Sequence, residues 1–128
     1  MAKAFVIHFH SGCGGDHYDL MLEGEGKLFT WQLEQSPLEL AVGQALPARR
    51  IADHRIEYLQ YQGPVSRNRG CVARIDAGTC EIISTAPDRW LFRLSGGVIQ
   101  GLFEISASTD AAGSLLKRIS SDPAAQAT

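Results

Sequence analysis

The chain is short of several things. It has only three cysteines, Cys13, Cys71 and Cys80, and no CxxC spacing, which excludes a disulfide framework and a zinc knuckle. All three read as small reduced side chains; Cys13, in a Gly-rich loop near two histidines, is the one worth testing as a reactive thiol. No apolar run approaches the roughly 20 residues that a membrane helix requires. Met1-Ala2-Lys3-Ala4 enters a strand pattern at once, with no signal-peptide core. A cytoplasmic location and no membrane partner are therefore expected. Excess positive charge is missing too: 12 Lys and Arg against 14 Asp and Glu leave a net charge of −2. That balance argues against a broad, non-specific grip on nucleic acid. A local patch is compatible with it, because Arg49, Arg50 and Arg55 flank His54, and Arg67, Arg69 and Arg74 follow. There is no internal repeat. Histidine is scarce, with four in the chain: His8, His10, His17 and His54.

What is there is ordinary in bulk and patterned in detail. A chain of 128 residues, 45% hydrophobic, suffices for one domain with a real core. Residues 3–10 alternate, with Phe5, Ile7 and Phe9 on one face and Val6, His8 and His10 on the other. A Gly-rich loop leads into His17-Tyr18-Asp19-Leu20-Met21-Leu22-Glu23, which also alternates. Tyr18, Leu20 and Leu22 would face a core, and His17, Asp19, Met21 and Glu23 the opposite way. Gly24-Glu25-Gly26 predicts a hairpin into a third strand, residues 27–33, whose Phe29, Trp31 and Leu33 share a face. Pro37 opens a short helical turn. Residues 49–53 read as a short strand, and 56–59 fit a strand or a helical turn equally well. Residues 71–76, 79–84, 90–94 and 98–106 read as four more strands, separated by turns at Ala77-Gly78, Ala86-Pro87-Asp88 and Ser95-Gly96-Gly97.

The expected fold is mainly β: a small closed or nearly closed antiparallel barrel of about eight strands with one or two short helical turns. The barrel domain would occupy residues 1–106. Residues 107–128 would form a partly disordered tail, with a helical turn at 115–119.

The polar face of the second strand carries the chemistry. An imidazole and a carboxylate two residues apart, pointing the same way, suit metal binding or acid–base work. The candidate ligands are His10, Asp19 and His54, one from each of three segments, a set that accepts Mn²⁺, Zn²⁺ or Fe²⁺. His17 is placed for proton transfer near neutral pH. Glu23, further along that face, would orient a ligand, and so would Asp53, whose parity is opposite to that of His54. His8 reads as a surface residue or a hydrogen-bonded core residue, without a part in the site. Tyr58 and Trp31 read as core or rim aromatics.

Several blocks together resemble a known family. Phe5-Val6-Ile7, His10 and the stretch His17–Glu23 resemble the opening motif of the 3′-phosphoesterase domain of bacterial DNA ligase D, where a strand ending in His is followed by HYDxRLE. Asp53-His54-Arg55-Ile56-Glu57-Tyr58 resembles its DHPLEY block, Thr30-Trp31 its SW pair, and Arg74-Ile75-Asp76-Ala77-Gly78-Thr79 its WDxGT turn. The resemblance covers residues 5–106. It implies a β-barrel with a metal site on its open face. It also implies Mn²⁺-dependent removal of 3′-terminal ribonucleosides and 3′-phosphates from DNA ends in end repair. Zn²⁺ or Co²⁺ are alternatives to Mn²⁺. By motif position His10, Asp19 and His54 match metal ligands, His17 a catalytic histidine and Tyr58 an active-site tyrosine. The implied partners are a nucleic-acid 3′ end and, for end repair, a separate DNA ligase or polymerase.

The chain departs from the family pattern where Arg is usual and Met21 stands, because a thioether cannot reproduce a guanidinium fork on phosphate. Ala52 stands in place of an acidic residue. Arg49, Arg50, Arg55 and Arg69 are the candidates to take that arginine's place on a phosphate. The lost Arg position motivates one rival, a binding module of the same fold without turnover; a second, an iron oxygenase built on two histidines and one carboxylate, uses the same ligand types, but the block Asp53–Tyr58 argues against it.

Overall fold

A computed structural model of the chain describes residues 3–12, 14–107 and 113–122. Among them are nine strands, β1 (Lys3–Ser11), β2 (His17–Glu23), β3 (Lys27–Leu33), β4 (Ala45–Arg55), β5 (Gly63–Pro64), β6 (Cys71–Ala86), β7 (Arg89–Gly96), β8 (Gln100–Ala107) and β9 (Ser114–Ser120). All pairings are antiparallel. The order is β1-β2-β3-β4-β9-β8-β7-β6, and β6 pairs back onto β1. Eight strands thus close a ring, and the two-residue β5 lies beside β6. The expected barrel is present. Short 3₁₀ turns span Pro37–Glu39, capped by the Ser36 hydroxyl, and Ile56–Leu59. Among the described residues no helix is long and apolar enough to cross a membrane.

Alternation decides which side chains fill the ring. Phe5, Ile7, Leu20, Leu22, Trp31, Leu33, Phe92, Leu94 and Phe103 belong to one continuous apolar cluster. Burying each such side chain contributes about 1.5–3 kcal/mol. On the opposite face of the first strands Val6, Met21 and Leu28 form a second, smaller cluster, roofed by Ile56, Tyr58 and Leu59 of the second 3₁₀ turn. The ring is therefore padded on its outer wall, under that turn.

Three expectations about elements need correction. β4 begins at Ala45 rather than at residue 49. Pro47 lies beyond the last β3 pair, Leu33–Ala48, where β4 keeps only β9 alongside it, and a proline is tolerated there. Residues 71–76 and 79–84 are one strand, β6, with no turn at Ala77-Gly78. Gly78 serves close approach instead: a Cβ there would stand 2.1 Å from the Ser95 carbonyl oxygen of β7. The segment 115–119 is not a helical turn but part of β9, which lies between β4 and β8 and closes the ring. Leu116 enters the core, while Leu115 and Ile119 stay largely exposed. The Arg118 guanidinium ties β9 down by donating to the carbonyls of Leu40 (2.9 Å) and Gln100 (2.6 Å). The barrel thus takes in residues past 106. The disorder expected for the end of the tail falls on residues 123–128, outside the described residues, as does Cys13.

Two irregularities in the ladders matter for function. Between Leu28 and Thr30 the β3–β4 register shifts, Thr30 facing Ile51 and Leu28 facing His54. The extra residue in β4 returns His54 to the outer face despite the odd spacing. Between Ile7 and His8 the β1–β6 register shifts as well. Asp76 then faces Ile7, and Arg74 faces His8.

Candidate metal centre

The β1–β2 hairpin brings the first three polar groups together. His10 is paired directly with His17 across the ladder, and Asp19 is two residues on, on the same face. The ring centroids of His10 and His17 are 4.7 Å apart. His10 Nδ1 is 3.7 Å from Asp19 Oδ2, and His17 Nε2 is 3.4 Å from Asp19 Oδ1. One ligand atom from each of the three lies within 4.8 Å of the others. Two donors sharing one ion at about 2.1 Å each stand roughly 3–4 Å apart, so these are ligand spacings. They are long for hydrogen bonds. Asp19 is 2% exposed, and its Oδ1 has no hydrogen-bond partner among the described residues. A buried carboxylate oxygen in that state is costly unless a cation meets it. His10 Nε2 lies 2.5 Å from the carbonyl oxygen of Arg69. With the proton on Nε2, that bond fixes the ring and leaves the Nδ1 lone pair toward Asp19. The residues present fit a divalent ion of borderline hardness.

A cavity of about 390 Å³ opens beside this cluster, walled by His8, His10, Asp19, His54, Tyr58 and Arg69 among others. It lies on the outer wall of the barrel rather than in its opening, because the interior is filled with apolar side chains. The second 3₁₀ turn and the β5–β6 hairpin form its far side. That hairpin turns through Arg67 and Asn68, both at positive φ (63° and 56°), closed by a Val65–Gly70 backbone bond of 2.7 Å. Two consecutive left-handed residues match the strand twist of a tight hairpin, at some cost for a non-glycine such as Arg67.

His54 lines the cavity but is not a member of the compact set formed by His10, His17 and Asp19. Its Nδ1 is 3.1 Å from the Ala52 carbonyl oxygen, and its ring meets Tyr58 edge-on at 5.6 Å. Among the described residues it is His17, not His54, that stands with His10 and Asp19. The hairpin could have signalled this, since residues flanking a β-turn loop face each other. Of the two settings expected for His8, the surface and the core, the structure has the second: it is 1% exposed, yet it borders the cavity, with an Nε2 that has no hydrogen-bond partner among the described residues. Burial lowers its pKa from 6.5 to about 4, helped by the charges of Arg74, His54 and His10 and opposed by a backbone hydrogen bond with Tyr58. His8 therefore stays neutral near pH 7.

Other candidates are spread more widely. Asp53 borders the cavity but pairs with Lys27 and Arg50, each at 3.4 Å. Glu23 accepts from the Ala4 N–H at 2.8 Å, at the opposite end of β2 from His17. Arg55 and Arg69 line the cavity, whereas Arg49 bonds Gln32 at 3.1 Å and Arg50 lies over Phe29, Trp31 and Trp90. Arg69 is anchored to Ser66 by its Nε (2.9 Å) and Nη2 (3.0 Å). Met21, at the usual Arg position, is fully buried under the Tyr58 turn.

The sequence model described as DNA Ligase D 3′-phosphoesterase domain matches residues 7–107. The chain belongs to the DNA ligase D 3′-phosphoesterase domain family. The match takes in both histidine-bearing blocks, β1–β2 and the end of β4. A search of curated proteins returns no match. Within this phosphoesterase family a hydrolase-type role follows for the chain.

Proposed function

We propose that the protein is a divalent-metal-dependent 3′-phosphoesterase acting on nucleic-acid 3′ ends, removing a terminal phosphate or ribonucleoside. The observation that carries this reading is the buried Asp19 carboxylate with an orphaned oxygen, flanked by two imidazoles on the wall of a cavity, in a chain of this family. His10, His17 and Asp19 would hold the ion. Bound there, Mn²⁺, Zn²⁺ or Co²⁺ would supply a Lewis acid for a phosphoryl oxygen and would offset developing charge.

The remaining chemistry belongs to the chain. Arg55 and Arg69 attract the phosphate into the cavity, in place of the guanidinium that Met21 cannot supply. With Nδ1 held by the Ala52 carbonyl, His54 presents Nε2 to the cavity and exchanges a proton with the attacking or departing oxygen. Tyr58 supports the His54 ring edge-on and offers its hydroxyl to the phosphate. Val65 and the Tyr58 turn limit water on the far side.

The test separates ion binding from turnover. The prediction is Mn²⁺-stimulated release of phosphate from a 3′-phosphorylated primer–template. His10→Ala, His17→Ala and Asp19→Ala should lose both bound metal and activity. His54→Ala should keep the metal and lose activity. Metal binding with no turnover on phosphate- or ribonucleotide-ended primers would instead favour a binding module. Oxygen uptake with Fe²⁺ and a 2-oxo acid would favour the oxygenase.

A further inference from the structure

A second cavity, of about 340 Å³, adjoins the first and shares Arg55, Tyr58 and Val65 with it. Its remaining wall is made by Glu57, Tyr61, Pro64 and Ser66, and the Glu57 carboxylate stands 3.8 Å from Arg55 Nε. We propose that this cavity is a nucleobase subsite, holding the base of the nucleotide whose 3′ oxygen carries the phosphate at the metal centre. The inference rests on the phosphoesterase reading and adds to it a site for the substrate's base.

Three features select a base over other occupants. The first is continuity: a 3′ phosphate and its own base are joined through a single sugar, and the two cavities are joined through a single wall. The second is aromatic surface. Tyr61 is 39% exposed, one of the few large hydrophobic side chains left in solvent. It is held upright by an edge contact with Tyr58, centroids 5.6 Å apart, and by its hydroxyl donating to the Pro64 carbonyl. A phenol ring braced on one side, with area free on the other, is a stacking platform, and every base offers a π-face to it. The third is charge. The Arg55 guanidinium lies 6.0 Å from the centre of the Tyr58 ring, on the wall between the cavities, where it offsets the Glu57 carboxylate 3.8 Å away and turns its other N–H groups to the phosphate. The Glu57 carboxylate faces Arg55 and the Ser66 hydroxyl accepts from Arg69, so the lining reads no single base and the subsite should tolerate all four. Stacking requires an unpaired base, so a single-stranded or frayed 3′ end is the form that fits.

The test uses the Mn²⁺-loaded protein and two oligonucleotides with a 3′ phosphate, one complete and one with an abasic sugar as its last nucleotide. For the unaltered chain, kcat/KM on the abasic substrate should fall about tenfold, the usual scale of one lost base–aromatic stack. Tyr61→Phe, which keeps the ring, should show the same fall. Tyr61→Ala should turn over the complete substrate about tenfold more slowly and show no further loss on the abasic one. Equal rates on both substrates with the unaltered chain would overturn the proposal, as would an abasic penalty that persists in Tyr61→Ala. Fluorescence anisotropy of the same oligonucleotides reads the subsite without chemistry. No turnover on either substrate, with tenfold weaker binding of the abasic one, would sink the phosphoesterase reading and spare the subsite. Equal binding would sink the subsite.

Discussion

Two aspartates are buried among the described residues, and they are treated in opposite ways. Asp76, on β6, points into the turn between β7 and β8. Its Oδ1 accepts the N–H groups of Ala77 and Gly97, both at 2.9 Å, and its Oδ2 those of Val98 (3.1 Å) and Ile99 (2.7 Å). Every strong acceptor direction is used, and a loop that would otherwise leave backbone donors bare is pinned to the barrel end. Asp19, on β2, receives no backbone donor among the described residues. Two imidazoles approach it at 3.4 and 3.7 Å, and one oxygen has no hydrogen-bond partner among those residues. The first carboxylate is saturated and holds the fold. The second is under-satisfied, and its free capacity is directed at a cavity. Composition cannot separate the two roles; the census of donors around each does.

The difference can be broken by exchanging charge for shape. Asp19→Asn should lower phosphoesterase activity by roughly a thousandfold through the lost ion, while the metal-free protein melts at the same temperature or higher. A lower melting temperature would show that Asp19 supports the fold after all. Asp76→Asn should do the reverse. Its amide group would place a donor against the N–H groups of one oxygen's pair, costing on the order of 3 kcal/mol in denaturant unfolding. Activity below the melting point should survive. Little change in stability would remove the contrast.

His8 extends the comparison to histidine. Above pH 6.5 it is neutral whether the chain is folded or not, and its titration has no effect on stability. Between pH 6.5 and about 4 the unfolded chain takes up a proton that the folded site refuses, so stability falls with acid and levels off below about 4. The full loss is roughly 3 kcal/mol. Unfolding of the metal-free protein across that range should show a shallower slope in His8→Phe, and an unchanged slope would refute the burial of His8. The smallest effect is expected of Arg69→Ala, which removes the guanidinium but keeps the carbonyl that holds His10. KM for the phosphate-ended substrate should rise about tenfold with metal affinity unchanged; calorimetric Mn²⁺ titration checks the second half.

Much of the frame was legible because β1, β2 and β3 each alternate cleanly, with turn residues between them. The errors have identifiable sources. A proline hid the first residues of β4, and a glycine needed for contact with β7 was read as a turn. The spacing of Leu115, Leu116 and Ile119 suits a helix as well as a strand, and only pairing with β4 and β8 decides for the strand. For the site, the residue types were readable and their grouping only in part. His17 and Asp19 are neighbours on one face, and His10 meets them by hairpin register. The place of His54 depends on an extra residue in β4, which leaves no mark in the pattern. Asp76 and His8 were missed because nothing local tells whether a buried polar group will find partners.

The stretch matched by the family ends at residue 107, yet the ring is not shut until Ser120. A version cut at that point would carry two raw hems, the flank of β4 over residues 45–48 and that of β8 over 102–107. Such hems invite a strand from any passing molecule. Anyone fusing, trimming or transplanting this barrel would do well to carry its last strand along.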